Sequence, residues 1–534
     1  MPCGGMRENV RRLAPLDIWH LTPMLSEKPT HRVTLRPVQT ELTAPAGTAL
    51  RDLLFAQGVE FPCGGQGRCR GCRVHVLEGQ VSVNDAQRER LSAEELAQGW
   101  RLACQCALED DLVIELRQWD AAILVDETPF EFHPRAGLGV AVDLGTTTLV
   151  AQLLDLSTGR VLAVRTALNA QARFGADVMS RVDFGAAKGG ERQLRDLIRQ
   201  QIGSLIEQLV FAAHVSQGEI TDVVVVGNTV MHHLFCGLDI EPLSRYPFES
   251  EHLGLQTFGA GDLDWKLSRE ARVRFLPCLG GFVGSDLLAG ILATNLSERE
   301  ELNGLVDLGT NGEIVIGNRQ HILCASTAAG PAFEGARISM GMRAATGAIS
   351  EVKLGDHAIN CRVLGNVPPQ GLCGSGLVDA VAAGLELGKI QPTGRFADGI
   401  TSWELAAPVV LTQIDIRELQ LAKGAIAAGI RMLLDRFGTS VGEIKKLYLA
   451  GAFGNYINRA SAQRIGLINF PSDKVEAAGN TALLGAKLAL FLPEGEDGSF
   501  ASLRQRSEHV ALNADQSFQD TFVEEMGFPQ STYA

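Results

Sequence analysis

Three cysteines stand close together in the stretch FPCGGQGRCRGC. Cys63, Cys69 and Cys72 follow the spacing C-x5-C-x2-C, and the later stretch RLACQC supplies a fourth thiol at Cys104 or Cys106. Structural zinc sites usually pair their ligands as two short knuckles, whereas here three candidates share one loop and the fourth stands apart. A 2Fe-2S cluster needs four thiolates and many backbone amide donors, and the glycines of this loop let the main chain approach it. The spacing therefore favours an iron-sulfur cluster over zinc.

The segments around this loop predict the element order of a β-grasp domain. VTLRPV and TELTAP alternate as strands, ALRDLLFAQG is typical of a helix, and CRVHVLEG and DLVIEL predict later strands. With the cysteine loop and RLACQ, this order resembles the 2Fe-2S ferredoxins of the adrenodoxin-like kind. The resemblance implies that Cys104 completes the ligand set of Cys63, Cys69 and Cys72, and that Cys106 packs behind the cluster.

Three arginines, Arg68, Arg70 and Arg73, surround the loop. Positive charge near a cluster stabilises its reduced form and raises its potential. The same charges would suit docking of an acidic electron-transfer protein, and a solvated basic edge explains them equally well.

A second kind of chemistry is indicated by a strand-turn-strand pattern that occurs twice. GVAVDLGTTTLVAQLLDL and LVDLGTNGEIVIG both carry Asp-Leu-Gly-Thr between apolar strands. In such a hairpin glycine admits a phosphate to the backbone amides, threonine hydroxyls donate to its oxygens, and the carboxylate holds hydrated Mg²⁺. One copy would be explained by turn geometry alone, but two copies predict two halves that face each other across one nucleotide. A scaffold that has lost its ligand is the alternative.

A third element, KLYLAGAFGNYINR, runs from an apolar strand into glycines that let adenine and ribose lie against main chain. Together the three patterns resemble the phosphate and adenosine motifs of the sugar kinase, Hsp70 and actin superfamily. The resemblance implies that Asp143, Gly145, Thr146 and Thr147 form a first phosphate loop. It implies a second phosphate loop formed by Asp307, Gly309, Thr310, Asn311 and Gly312. It also implies an adenosine wall formed by Gly451, Ala452, Phe453 and Gly454.

Carboxylates near these loops are the candidate catalytic groups. Asp143 and Asp307 lie where the two strands end and Glu313 follows the second phosphate loop, and we expect these three to act on magnesium or water. Asp286 and Glu334 flank glycines and are further candidates for positioning water or magnesium. No nucleophile is expected.

Other thiols and imidazoles have simpler explanations. His232, His233 and Cys236 have helical spacing that suits a metal, although a buried helix face explains them better. The isolated cysteines are predicted to be buried spectator thiols.

Composition limits the partners. The chain has 534 residues, 46% of them hydrophobic, and a net charge of -14, which repels nucleic acid and anionic lipid. The first thirty residues have no apolar run of the length that a secretion signal needs, and nowhere do about 18 uncharged apolar residues follow one another. We therefore expect no membrane association and a cytoplasmic location. In that reducing compartment the clustered cysteines are ligands rather than disulfides.

The length exceeds that of one domain. We predict an α+β, β-grasp 2Fe-2S ferredoxin domain followed by a duplicated α/β actin-like (ribonuclease H-like) ATPase. The expected boundaries are a disordered extension at 1–30, the ferredoxin domain at 31–117, a linker at 118–136, and ATPase halves at 137–300 and 301–534.

The order ferredoxin, linker, ATPase, with the phrases GNTVMHH, VDLGTNGE, GPAFEGARI and AGAFGNYI, resembles the reductive activators of corrinoid proteins. The resemblance implies a 2Fe-2S cluster, ATP and Mg²⁺ as cofactors. It also implies an external electron donor, a corrinoid protein whose cob(II)amide is reduced, and a homodimer. Members with a C-terminal pair of 4Fe-4S clusters differ from this chain, which has no cysteine after Cys373.

Three alternatives remain at this stage. An ATP-driven electron injector for another low-potential enzyme would share the ATPase half, but it would need a cysteine pair for a 4Fe-4S cluster between subunits. A small-molecule kinase with a regulatory ferredoxin would need a polar substrate pocket and a base. An assembly or sensor protein would bind both cofactors without turnover.

Overall fold

The computed structural model describes residues 29–36, 40–55, 72–115, 132–175, 177–187, 189–344, 347–355, 359–454, 457–492 and 498–530. The extension predicted at 1–30 lies outside the described residues except for its last two, and Thr30 already belongs to the first strand. The predicted linker is described only from residue 132 onward.

The N-terminal unit is one mixed five-stranded sheet with short helices. Its elements are β1 (Thr30–Arg36), β2 (Thr40–Pro45), α1 (Leu50–Phe55), β3 (Arg73–Glu78), α2 (Asp85–Arg90), α3 (Ala93–Ala97), β4 (Trp100–Leu102) and β5 (Leu112–Glu115). The strand order is β2-β1-β5-β3-β4, with β1 and β5 parallel. Alternating residues such as Val33, Leu35 and Ile114 are fully buried, so the period-two pattern of the sequence faces one core. This is the predicted β-grasp arrangement.

The next unit begins with the first copy of the repeated hairpin. Its elements are β6 (Leu138–Leu144), β7 (Thr148–Asp155), β8 (Val161–Leu168), α4 (Val178–Ala186), α5 (Gly190–Ala213), β9 (Ile220–Gly227), α6 (Thr229–Cys236), β10 (Gln256–Gly259), β11 (Arg272–Phe275) and α7 (Ser285–Ala293). The sheet order is β10-β11-β9-β6-β7-β8. The first three strands form an antiparallel meander, and β9 and then β11 add in parallel beside β6.

The C-terminal unit repeats that plan. Its elements are β12 (Asn303–Leu308), β13 (Gly312–Gly317), β14 (Ile322–Thr327), β15 (Ala348–Leu354), β16 (Ile359–Val363), β17 (Gly371–Leu372), α8 (Gly374–Glu386), β18 (Ser402–Ala406), β19 (Val409–Thr412), α9 (Gln413–Phe437), β20 (Lys446–Ala450), α10 (Gly451–Gly454), α11 (Arg459–Arg464), β21 (Val475–Gly479), α12 (Thr481–Leu490), α13 (Gly498–Arg506), β22 (Ser507–His509) and α14 (Gln516–Glu525). The main sheet order is β21-β20-β12-β13-β14-β22, again a meander with parallel strands beside its first strand. The duplication predicted from the two Asp-Leu-Gly-Thr copies is therefore present in the fold.

The two repeats share a core. Helix α7 of the first packs against α12 of the second, and α12 also contacts β6 and β9 in the first sheet. Gly485 of α12 lies so close to α7 that an added Cβ would stand 2.1 Å from the carbonyl oxygen of Ala289. Across the described part of the chain, every helix falls short of the length or the apolar character that crossing a bilayer demands.

Candidate nucleotide and cluster sites

The two repeated hairpins meet at their turns. Asp307 lies directly opposite Glu313 in the β12-β13 ladder, and Asp143 lies near the end of β6. The Thr147 and Thr310 hydroxyl oxygens, one from each turn, are 3.2 Å apart. The structure thus brings the two predicted phosphate loops together although 163 residues separate these threonines.

Each turn is closed by a backbone hydrogen bond from its first glycine, and in the first turn only glycine fits. The Gly145 amide donates to the Thr148 carbonyl at 3.1 Å, and an added Cβ on Gly145 would meet that oxygen at 2.6 Å. In the second turn the Gly309 amide donates to the Asn311 carbonyl at 3.0 Å. The carbonyl of Gly312, the first residue of β13, accepts from the Thr327 hydroxyl.

A polar network behind the first turn holds it in place. Asn228 donates to the Thr146 hydroxyl at 2.9 Å, Asn169 donates to the Gly145 carbonyl at 2.9 Å, and Arg181 donates to the Thr146 carbonyl at 2.5 Å. None of these three supporting residues was predicted from the sequence. For Asn228 a signal existed, since an Asn between an apolar strand and a helix is typical of a helix N-cap, and its side chain does accept from the Met231 amide.

Four carboxyl groups, those of Asp143, Asp286, Asp307 and Glu313, interact with one another beside the two turns, in the region that we call the cleft. Burial raises the pKa of Asp143 to about 6, although a hydrogen bond from Asn480 at 2.8 Å opposes the shift. Burial, and then the negative charge of Asp143, raises the pKa of Asp286 to about 7. Burial raises the pKa of Asp307 to about 7, and the charges of Asp286 and Asp143 add to the shift. Burial also raises the pKa of Glu313 well above its usual range, with a further contribution from the charges of Asp286 and Asp307. Such a group of mutually repelling carboxyls suits a cation.

These carboxyl groups fit an ion such as Mg²⁺, which takes part of its ligands from water and phosphate, better than an ion held by protein side chains alone. In the described part of the chain, no three His, Cys, Asp or Glu side chains lie close enough to hold one metal ion. Mg²⁺ keeps several waters and is usually held by one or two carboxylates plus substrate phosphates. The carboxyl groups of Asp143 and Asp307 are ligands of the type that Mg²⁺ takes.

The strand-to-helix turn at Gly451 forms the third side of the cleft. Gly451 has φ +84°, and an added Cβ would stand 2.6 Å from Asp307 Oδ1. Ala452 and Gly454 lie within α10. Phe453 is 8% exposed and its ring stacks on that of Phe333 with the centroids 4.6 Å apart, so this side chain packs in the core.

Two further side chains lie at the turns. Glu334 accepts a hydrogen bond from the Thr310 hydroxyl at 2.5 Å, and Arg343 of the second repeat donates to the Thr148 hydroxyl of the first at 3.1 Å. Arg343 was not anticipated from sequence.

Of the predicted cluster ligands, Cys63 and Cys69 lie outside the described residues. Cys72 is buried and Cys104 half-buried in one apolar cluster with Leu91, Trp100 and Leu102. The Gln105 side-chain amide donates to Cys104 Sγ at 3.6 Å, a contact of the kind that stabilises a thiolate. Two thiols that share an apolar pocket with a polar donor fit an iron-sulfur cluster.

The neighbouring Cys106 has a different environment. Its thiol points into the main core of the β-grasp domain and donates to the Leu102 carbonyl at 3.1 Å, and burial raises its pKa to about 12. These contacts favour Cys104 as the fourth ligand.

Arg73 is turned inward. It forms an ion pair with Glu95 and lies over the Trp100 ring at 4.5 Å, and its side chain is 9% exposed. Arg68 and Arg70 lie outside the described residues, so of the three predicted basic residues the structure describes only this inward-facing one.

The imidazoles of α6 are core groups. His233 bonds the Thr229 carbonyl and the Ser250 hydroxyl, His232 bonds the Gly254 carbonyl, and burial lowers the pKa of both rings. Of the isolated cysteines, Cys278, Cys324 and Cys373 are buried, as predicted, and Cys361 is half-buried.

Fold and sites together define a β-grasp domain of the 2Fe-2S ferredoxin type joined to an actin-like ATPase. Family models agree with this class. A "2Fe-2S iron-sulfur cluster binding domain" matches residues 33–109, "RACo middle region" matches 138–299, and "C-terminal domain of RACo the ASKHA domain" matches 301–534.

Similar proteins point to one function. The chain is 30% identical to "Corrinoid activation enzyme RamQ" of Eubacterium limosum, over 92% of this chain and 98% of that protein. It is 27% identical to "[Co(II) methylated amine-specific corrinoid protein] reductase" of Methanosarcina barkeri, over 74% and 78%. A solved structure, "Reductive activator for corrinoid,iron-sulfur protein", matches with a TM-score of 0.67 and 28% identity over 94% of this chain and 98% of that one. The chain belongs to the family of reductive activators of corrinoid proteins.

Proposed function

We propose that this chain is an ATP-dependent reductive activator, which passes one electron to the cob(II)amide of a corrinoid methyl-transfer protein and restores cob(I)amide. The observation that carries the proposal is the contact between Thr147 and Thr310 in a chain that also has a ferredoxin-type domain. One relative that matches 92% of the chain is named a corrinoid activation enzyme, and another that matches 74% is named a Co(II) corrinoid protein reductase. These names favour this function over an injector for another enzyme or a small-molecule kinase.

The residues divide into two groups. Cys63, Cys69, Cys72 and Cys104 would hold a 2Fe-2S cluster, which supplies a one-electron carrier. The amides and hydroxyls of the two phosphate loops would bind the ATP phosphates, and the carboxylates of Asp143 and Asp307 would hold hydrated Mg²⁺.

Nucleotide is needed because cobalt(II) reduction is uphill for a modest donor. At about 2.3 kcal/mol per electron per 100 mV, a gap of a few hundred millivolts costs roughly 5 to 10 kcal/mol. Binding energy that changes the shape of the activator, and with it the contact to the corrinoid protein, is one way to offset such a cost.

The geometry of the turns supports a change of shape. Two hydroxyls that both donate to one phosphate oxygen lie roughly 4 to 5 Å apart, since each hydrogen bond spans about 2.7 Å. The Thr147 and Thr310 oxygens are 3.2 Å apart and contact each other directly. Phosphate would therefore replace this contact and reset the spacing of the two repeats.

The test is anaerobic reduction of a cognate cob(II)amide protein by the purified protein with a chemical donor. We expect a 2Fe-2S absorption spectrum and faster cobalt reduction with Mg-ATP. Cys69→Ala should abolish electron transfer and keep nucleotide affinity, whereas Asp307→Asn should keep the cluster and lose the acceleration by ATP. Equal rates with and without nucleotide would refute the coupling.

The external donor and a homodimer are further parts of the proposal. Both follow from the family resemblance, and sedimentation of the reduced protein with and without Mg-ATP would test the dimer.

A further inference from the structure

Arg181, in α4, is a fully buried guanidinium directly behind the first phosphate loop. Its Nη2 donates to the Thr146 carbonyl at 2.5 Å and its Nε to the Gly175 carbonyl at 2.9 Å. Nη1 makes longer contacts to Gln171 Oε1 at 3.5 Å and Met231 Sδ at 3.6 Å. All of these acceptors are neutral.

The charge has no carboxylate at ion-pair distance among the described residues. Asp177 acts on Arg181 only from farther away, and it caps α4 by accepting from the Ser180 amide at 2.8 Å. Burial lowers the pKa of Arg181 to about 9, so the group is still a cation at neutral pH. A buried cation without a counter-ion is costly, and an apolar side chain of similar size would avoid that cost.

The contact with Thr146 also orients the loop. A trans peptide places its C=O and N–H on opposite sides. Because the Thr146 carbonyl points at Arg181, the amide of Thr147 points away from it. The hydroxyl of the same residue, Thr147, contacts the Thr310 hydroxyl in the second turn. Arg181 therefore stands behind the Thr147 amide, on the side opposite to the one from which an anion would approach that amide.

The cleft needs such a charge. Asp143, Asp286, Asp307 and Glu313 already repel one another there, and a nucleotide adds further negative charge. We propose that Arg181 is a positioning residue that supplies a fixed positive charge to the first phosphate loop, so that affinity for a nucleotide rises with the charge of its phosphates. The inference rests on the proposed ATP binding and adds to it the residue that selects for phosphate charge.

The test is calorimetric titration of the full-length protein with adenosine, ADP and ATP, each with Mg²⁺. In Arg181→Gln, which keeps a donor for the Thr146 carbonyl but no charge, we expect ATP affinity to fall about 30-fold, ADP affinity about 10-fold and adenosine affinity less than about 2-fold, because the lost Coulomb attraction scales with ligand charge. Arg181→Lys should stay within about 3-fold for all three ligands. The matched control is Arg173→Gln, which removes an exposed guanidinium from a neighbouring segment and should leave the three affinities unchanged.

Equal losses for adenosine, ADP and ATP would show a structural role and overturn the inference while leaving the proposed function intact. Absence of ATP binding by the unmodified protein would overturn both. If the Arg181 variants fail to fold, Asp177→Asn provides the second test. Asparagine still caps α4, and removing the carboxylate that weakens the field of Arg181 should raise ATP affinity about 2-fold more than adenosine affinity. No difference between these ligands in Asp177→Asn would contradict the inference.

Discussion

At the scale of single residues, the cleft holds carboxyl groups whose mutual repulsion opposes their ionisation. Asp143, Asp286, Asp307 and Glu313 are desolvated and, apart from Asp143, are raised in pKa by one another's charge as well as by burial. A group whose pKa is raised on folding stabilises the protein only while it is protonated. Sites that bind cations commonly keep such strain because the ligand relieves it.

Asp307→Asn should therefore stabilise the nucleotide-free protein. Burial raises the pKa of the Asp307 carboxyl from its ordinary 3.8 to about 7 in the folded protein. Its contribution to stability is therefore complete below about pH 4 and is lost as the pH rises through 7. We expect the variant to gain about 1 to 2 kcal/mol in free energy of unfolding at pH 8 and little at pH 5. The gain is smaller than the full pKa shift implies because Asp307 keeps partial solvent exposure. Calorimetric unfolding at both values measures this. Asp435→Asn, an exposed carboxyl on α9, is the control, and a gain independent of pH would contradict the explanation.

The two cysteines of RLACQC should respond oppositely to substitution. Cys104→Ser should lose the 2Fe-2S spectrum after anaerobic reconstitution, because a serine oxygen is a poor match for the thiolate that iron requires. Cys106→Ser should keep iron and sulfide and lose about 1 to 2 kcal/mol of stability, because a hydroxyl replaces a thiol in the apolar core. Iron content and unfolding of the two variants measure the contrast. Loss of the cluster in Cys106→Ser alone would reverse the ligand assignment.

Residues that act within one short segment could be predicted from the sequence, whereas residues that contact the site from distant parts of the chain could not. The Asp-Leu-Gly-Thr turns could be predicted because strand, turn and phosphate contact lie within a few consecutive residues. Asn480, Arg181 and Asn228 reach the first turn from segments far along the chain, and only folding of the sheet brings them there. In the sequence each is one polar residue among many.

At the scale of elements, the strand-to-helix turn at β20 and α10 shows how backbone shape makes room for a ligand. Parallel pairing of β12 with β20 sets Asp307 beside Ala450, and α10 begins at the next residue. Gly451 can follow Asp307 so closely because it lacks a side chain and has a left-handed backbone.

Gly451→Ala should lower Mg-ATP affinity at least about 10-fold, because its Cβ would stand 2.6 Å from Asp307 Oδ1 and 2.7 Å from the Leu308 carbonyl. Gly438→Ala is a matched control: Gly438 ends α9 with φ +73°, and an added Cβ meets nothing within 4 Å. Both variants should lose about 1 kcal/mol from the left-handed backbone, and only the first should lose nucleotide affinity. Titration calorimetry with thermal unfolding separates the two effects. Equal affinities in both variants would remove Gly451 from the site.

Element order was predictable where apolar periodicity is strong. The hairpins β6-β7 and β12-β13 and the β-grasp strands lie where the alternating or fully apolar runs placed them. The pairing of β9 beside β6, and of β20 beside β12, could not be predicted in register, since parallel partners are separated by long connections that carry no local signal.

At the scale of the whole molecule, the two repeats can communicate because they are joined through packed helices as well as through the nucleotide. Helix α12 belongs to the second repeat by sequence but packs on α7, β6 and β9 of the first. Its Gly485 lies against the backbone of Ala289, so the helices cross at a separation that a methyl group would prevent. A change in the spacing of the phosphate loops should then displace α7 and α12 where they cross, because closely packed backbone transmits displacement.

Gly485→Ala should uncouple ATP from electron transfer. Its Cβ would stand 2.1 Å from the Ala289 carbonyl oxygen, and backbone cannot move aside as a side-chain end can, so α7 and α12 must separate at a cost of about 1 to 3 kcal/mol. We expect the acceleration of cobalt reduction by Mg-ATP to fall at least about 5-fold, with the cluster spectrum and the rate without nucleotide retained, because neither the β-grasp domain nor its ligands are touched. Gly290→Ala in α7 is the control, since its Cβ would meet only the ends of the Leu305 and Thr481 side chains, at 2.9 and 3.1 Å, which can turn away. If Gly485→Ala folds, binds ATP and is accelerated as strongly as the control, the helix crossing does not carry the coupling, and the displacement must pass through the loops alone.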